Sequence, residues 1–187
     1  IWGTGDMYNY SIDKSPFNPL FIYGKSGLGK THLMHAIGNY IRNHNPKLKI
    51  KYVTCEQFTN SYINSLMSSS KNKSIMEFRE IYRNLDVLMI DDIQFLISKE
   101  GVQSEFFNTF ESLINNGKQI VITSDKAPSN LISLDERLTS RFQNGFTMDV
   151  QPPDFETRKA ILMSKLSNNP IKVTDEVLNY ICENATS

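Results

Sequence analysis

The sequence has little cysteine (two in 187 residues), a single tryptophan, three histidines and no net charge. Cys55 and Cys182 each sit in an otherwise apolar-patterned segment. That excludes a disulfide-built scaffold; both are expected as buried free thiols in a reducing compartment. Twenty basic residues balance twenty acidic ones, so there is no global basic field for nucleic acid, and any such contact must come from a local patch. No apolar run approaches the ~18 residues of a membrane span, and the N-terminus lacks a signal-peptide pattern. A soluble, cytoplasmic protein is expected. With 40% hydrophobic and 21% charged residues the composition is globular rather than disordered.

What is present is alternation. "LFIY" (20–23), "IKYV" (50–53), "VLMI" (87–90), "IVIT" (120–123) and "FTMDV" (146–150) read as strands. Four of the five are apolar or nearly so, as in parallel strands covered on both faces. Amphipathic stretches lie between them. Leu33, Met34, Ile37, Tyr40 and Ile41 form one stripe, Phe58, Tyr62 and Leu66 a second, and Ile75, Phe78 and Tyr82 a third. Phe106, Phe107, Phe110, Leu113 and Ile114 form the clearest helix, closed by Asn116-Gly117. These aromatics are expected in the core. The polar "SSSKNKS" (68–74) reads as a loop between two helices. Strand and helix in alternation predict a three-layer α/β sandwich with a parallel five-stranded sheet. "QPPD" (151–154) is the expected boundary between a core at 1–151 and a helical segment at 152–187, which contains helices over 155–166 and 175–184 and ends inside an unfinished helical element.

The first strand runs into "YGKSGLGKTH". Gly24, Gly29, Lys30 and Thr31 fit G-x-x-x-x-G-K-[ST] at a strand-to-helix junction, with Lys25, Ser26, Gly27 and Leu28 inside the loop. The glycines let backbone N–H groups turn toward phosphate oxygens. Lys30 is placed to neutralise the β and γ phosphates and Thr31 to coordinate Mg²⁺, while the helix N-terminus adds its positive end. The apolar "VLMI" strand ends in Asp91 and Asp92, a costly place for charge unless it is paired or metal-bound. Asp91 is expected to hold Mg²⁺, directly or through water, and Asp92 to polarise an attacking water.

"ITSD" brings Asp125, with Thr123 and Ser124, to the end of the fourth strand. Asp125 would position the water or sense the γ-phosphate; the alternative is a polar strand-end cap. In "SLDERLTSRF", Ser133 and Glu136 form a capping-box pattern, and Arg137 and Arg141 fall on one helical face. Two aligned arginines suit a phosphate or carboxylate in a neighbouring subunit's site. Spacing alone favours the other reading, a solvated face paired with Asp135 or Glu136.

Together "NPLFIYGKSGLGKTHLMHAIGNYI", "VLMIDDIQF", "EFFNTFESL", "QIVITSD", "LDERLTSRF" and "PPDFETRKAIL" resemble the AAA+ ATPase domain of the DnaA family of bacterial chromosomal replication initiators. The resemblance implies a P-loop NTPase core followed by the start of a helical lid, with ATP/ADP and Mg²⁺ as ligands. It makes residues 24–31 the Walker A loop and Asp91 and Asp92 the Walker B pair. It makes Asp125 the sensor-1 residue and Arg141 an arginine finger reaching ATP on the next protomer, with Arg137 supporting that interface. Asp92 takes the position of the usual catalytic glutamate, which implies slow hydrolysis suited to a timer. Gly3, in "IWGTGDMYNYSID", takes the adenine-contacting glycine position, although the helix expected next is cut short before Pro16. Gly101 stands near where some relatives carry a basic residue.

The helices between Glu56 and Asn84 resemble the initiator-specific insertion. Ile63 becomes a candidate apolar contact to single-stranded DNA and Lys71 and Lys73 candidate phosphate contacts; the alternative is a core isoleucine and solvated loop lysines. The implied partners are further copies of the chain, origin DNA, the replicative helicase and regulators. The sensor-2 arginine and the duplex-reading domain of the family fall outside this sequence. A helicase-loader or transposition-helper AAA+ ATPase shares the same parts. A small-molecule kinase would need an acceptor pocket and a cis arginine cluster, neither visible here, and Lys30, Asp91 and Asp92 argue against a module without turnover.

Overall fold

The computed structural model describes residues 17–167 and 173–184. Five strands, β1 (Leu20–Tyr23), β2 (Ile50–Thr54), β3 (Val87–Asp91), β4 (Gln119–Ser124) and β5 (Phe146–Asp149), form one sheet in the order β2-β3-β4-β1-β5. Every pairing is parallel. The helices are α1 (Lys30–His44), α2 (Cys55–Met67), α3 (Lys71–Arg83), α4 (Glu100–Asn115), α5 (Glu136–Gln143), α6 (Phe155–Leu166) and α7 (Asp175–Asn184).

Successive strand residues point to opposite faces, and each face has its own core. Phe21, Leu88, Ile90, Ile120 and Ile122 join residues of α2, α3, α4 and α5 on one side. Ile22, Val87, Met89 and Val121 meet Met34 of α1 on the other. That is why the central strands read as unbroken apolar runs. β5 lies at the sheet edge, and three of its four residues are exposed, which accounts for its more polar sequence. Phe58 meets Phe78, Tyr82 and Phe106 edge-on at centroid separations of 5.3, 4.9 and 5.4 Å. The expected aromatic core therefore locks α2, α3 and α4 together.

Local signals set the helix ends. Thr54 and Gln57 form a reciprocal capping box at α2. Asp154 accepts from Thr157 N–H at the start of α6. At the end of α4, Gly117 N–H bonds Ile114 O and Lys118 N–H bonds Leu113 O, the Schellman pattern.

Three expectations change. Lys71 and Lys73 belong to helix α3, not to a loop, so the linker shrinks to residues 68–70. The cap of α5 is Asp135, whose carboxylate accepts from Arg137 N–H, rather than a Ser133–Glu136 box. Asp135 reaches the first free N–H groups from two positions closer, and Ser133 adopts a positive φ of 68° outside the helix. Tyr40 leaves the core stripe: it is exposed and stacks on His44. The N-terminal segment with Gly3, and the shortened helix before Pro16, lie outside the described residues.

Candidate active site

The loop between β1 and α1 is shaped by steric need. A Cβ on Gly24 would stand 2.5 Å from Val150 O, because Val150 N–H bonds Tyr23 O just beyond β5. Only glycine fits there. Gly29, at φ 86°, caps α1 with no side chain on the first-turn N–H groups and no acidic residue in that turn. The positive end of α1 is thus left open to an anion. Lys30 is 7% exposed, and its ammonium donates to Gly24 O at 2.8 Å and Lys25 O at 2.9 Å. The charge is folded into the loop, held by two carbonyls that a phosphate oxygen would replace.

Beside the loop, Asp91 at the end of β3 is 3% exposed. Its expected partner was a cation; the described partners are three hydroxyls. Thr31 Oγ1 and Tyr52 Oη donate to Oδ2 at 2.9 and 2.8 Å, and Thr123 Oγ1 donates to Oδ1. These bonds satisfy a carboxylate that would otherwise be prohibitively costly to bury. Burial, reinforced by the bond to Asp91 and the charges of Asp91 and Asp92, pushes the Tyr52 hydroxyl well above its ordinary pKa. It remains a donor throughout the working pH range.

The network continues along the strand ends. Asp92, in the left-handed region at φ 59°, donates its N–H to Thr123 Oγ1 at 2.9 Å. Gln94 Nε2 donates to Asp92 Oδ1 at 3.0 Å, and Gln94 Oε1 accepts from Asp125 N–H at 3.3 Å. Asp125 Oδ1 is buried without a hydrogen-bond partner among the described residues. The structure therefore brings together loop 24–31, Asp91, Asp92 and Asp125. Tyr52 and Gln94 complete the group, and the sequence pattern gave no sign of them.

The remaining candidates lie elsewhere. Arg141 pairs with Glu111 of α4, and Arg137 pairs with Asp135 while its guanidinium stands over the Phe107 ring at 4.5 Å. For Arg137 the paired, solvated arrangement is the one present. Ile63 projects from α2, 37% exposed, and on α3 Lys71 is exposed and Lys73 pairs with Glu77 at 3.9 Å.

A cavity of about 720 Å³ opens between the phosphate loop and the last two helices, lined by Gly27, Leu28, His32, Arg158, Ile161 and Lys165 among others. Arg158 ties these helices together, donating to Cys182 O at 2.9 Å and Pro153 O at 2.6 Å. A nucleotide-sized space thus adjoins the loop. Thr31 and Asp91 offer hard oxygen donors 2.9 Å apart, a set that fits Mg²⁺, which takes few protein ligands and completes its shell with water and phosphate.

A glycine loop opening a helix, with an acidic strand end beside it and a polar strand end next in a β2-β3-β4-β1-β5 sheet, defines a P-loop NTPase of the AAA+ class. Within that class the chain belongs to the DnaA family: the model of the bacterial DnaA ATPase domain matches residues 9–149. The chain is 54% identical over 180 residues to the chromosomal replication initiator protein DnaA of Lachnoclostridium phytofermentans, covering 95% of this chain and 39% of that protein. Domain III of the Thermotoga maritima replication initiation protein DnaA matches at a TM-score of 0.84 and 48% identity, over 91% of this chain and 70% of that one. A replication initiator DnaA bound to AMPPCP and single-stranded DNA matches at 0.80 and 37% identity, over 91% and 51%. The chain spans about two fifths of the length of its curated relatives. Membership of this family sets the helicase-loader alternative aside. Among the described residues no helix is long and apolar enough to cross a membrane.

Proposed function

We propose that the chain is the nucleotide-operated switch of a replication initiator: it binds Mg-ATP, assembles with further copies while ATP is held, and engages single-stranded origin DNA in that state. The observation that carries the proposal is the convergence of Lys30, Thr31 and Asp91 on an uncapped helix N-terminus. Lys30 exchanges loop carbonyls for phosphate oxygens, and Thr31 with Asp91 holds Mg²⁺, which when bound neutralises charge on the β and γ phosphates. Asp125, with its unpartnered buried oxygen, stands at the strand end next to Asp91 and Asp92 and reads the γ-phosphate or its water.

Hydrolysis is slow because the Asp92 side chain is one methylene shorter than the usual glutamate and reaches the attacking water less well. The enzyme is therefore a timer, and ADP ends the assembled state. Arg141 supplies the assembly signal by leaving Glu111 for the γ-phosphate of ATP on a neighbouring protomer, with Arg137 supporting that contact. Residues 152–187 form the start of a helical lid over the base; the prolines after β5 and the Arg158 tie between α6 and α7 support a division at 151/152. The α2–α3 hairpin is the DNA-facing element, with exposed Ile63, Lys71 and Lys73 as contacts. The ssDNA-bound relative supports that partner class. Duplex opening and recruitment of the replicative helicase are the downstream roles proposed for the whole protein. Titration with a fluorescent ATP analogue tests the base of the proposal: Lys30→Ala abolishes binding, and binding by that variant at parental affinity would overturn it.

A further inference from the structure

Both ends of the Gln94 side chain are committed to the two acidic residues proposed to serve hydrolysis. It lies in a one-turn 3-10 helix, Ile93–Leu96, directly after Asp92. Its amide nitrogen donates to Asp92 Oδ1 at 3.0 Å and its amide oxygen accepts from Asp125 N–H at 3.3 Å. Asp92 is also held from behind. Its backbone sits in the left-handed region, uncommon for a non-glycine residue, and its N–H is bound to Thr123 Oγ1 at 2.9 Å. Thr123 in turn donates to Asp91. Fixed at its N–H and at Oδ1, Asp92 keeps one carboxylate oxygen, Oδ2, without a partner among the described residues.

We propose that Gln94 is a positioning residue for ATP hydrolysis: it clamps Asp92 Oδ1 so that Oδ2 alone addresses the attacking water, and it ties that carboxylate to the Asp125 end of β4. The proposal rests on the ATPase reading above. In the step it serves, the water oxygen forms a bond to the γ-phosphorus. The bond from that phosphorus to the β–γ bridging oxygen breaks, and its electron pair leaves with ADP. The proton lost from the water passes by way of Asp92 Oδ2 to solvent, so the products are ADP, inorganic phosphate and one proton. Gln94 touches neither water nor phosphate. An aspartate is one methylene shorter than glutamate, so its carboxylate tolerates less wandering, and a misplacement of an ångström is worth up to about a hundredfold in rate. A neutral amide suits the clamp, because it orients the carboxylate without adding a positive charge that would weaken it as a base.

The test compares the full chain with its Q94A and Q94E variants, reading nucleotide Kd, kcat and melting temperature. In Q94A, kcat is expected to fall about tenfold or more while Kd stays within about twofold of the parent. In Q94E a carboxylate replaces the amide donor and repels Asp92 in place of holding it, so kcat is expected to fall at least as far as in Q94A while Kd stays close to that of the parent. A merely structural role would weaken Kd and lower melting temperature along with kcat, and would overturn the proposal. An unchanged kcat in Q94A would overturn it as well while leaving the ATPase reading intact. A parent chain that binds ATP and never turns it over would remove both.

Discussion

Arg141 of α5 lies against Glu111 of α4, its Nε 2.8 Å from Glu111 Oε1 and its Nη2 donating to Oε2 at 3.0 Å. The side chain of Arg141 is 49% exposed. An ion pair this accessible is worth about 0–1 kcal/mol, little enough for the more highly charged γ-phosphate of a neighbouring protomer to displace. Arg141 can therefore leave Glu111 at small cost, as the proposed trans-acting role requires.

Arg141→Ala is expected to bind ATP within about twofold of the parent yet fail to assemble when ATP is added. Sedimentation velocity with and without Mg-ATP checks this. An Arg141→Ala variant that assembles like the parent would end the trans-acting role. Glu111→Gln, which releases the guanidinium, is expected to assemble at least as well as the parent.

The Thr31–Asp91 bond predicts a metal-specific defect. Thr31→Val keeps the shape and removes the hydroxyl, so ATP affinity measured in Mg²⁺ should weaken by about tenfold or more. Affinity measured with the metal chelated should change little. Equal losses in both conditions would mean that Thr31 packs the loop rather than holding the ion.

Away from the site, stability should respond to the loss of Glu105. Its side chain is 2% exposed and takes Arg79 at 2.7 Å and Arg83 at 2.8 Å, joining α3 to α4. Glu105→Ala strands two guanidinium groups. Breaking a fully buried pair costs roughly 3–5 kcal/mol, but Arg79 is 43% exposed, and solvent screening brings the expectation to about 2–3 kcal/mol. Thermal denaturation should register a fall of roughly 5–10 °C.

Asp86 supplies a pH-dependent prediction. The bond from Lys118, then the one from Lys49 N–H, holds its carboxyl below the usual aspartate range. A depressed folded pKa contributes stability that is fully present above the unfolded value of about 3.9. That contribution disappears as pH falls through the folded value. Asp86→Asn should therefore be less stable than the parent at pH 7, and the gap should close in acid, as followed by urea denaturation at stepped pH. A gap that persists unchanged in acid would contradict the assignment.

The parts of this molecule legible from sequence are those whose physics is local. β3 and β4 announce themselves as apolar runs because both their faces are covered, and the phosphate loop because its glycines, lysine and threonine must be adjacent in the chain. The start of α3 was missed because Lys71–Ser74 carries no apolar stripe until Ile75. The cap of α5 was misread because Ser133, Asp135 and Glu136 all offer a plausible start, and only the backbone of the folded turn chooses Asp135. Tyr52 meets Asp91 across 39 residues, Gln94 meets Asp125 N–H across 31, and Arg141 meets Glu111 across 30. Such partnerships arise from sheet order and helix packing, and neither is written in a short motif.

The proposed switch requires that ATP, and not ADP, ready this protein for single-stranded DNA. The most direct measurement is fluorescence anisotropy of a labelled single-stranded oligonucleotide titrated with the full chain, in Mg-ATP and again in Mg-ADP. Tight, cooperative binding in ATP with weak binding in ADP is the predicted result, and loss of that difference in Arg141→Ala should accompany it. Equal binding in the two nucleotides would contradict the switch.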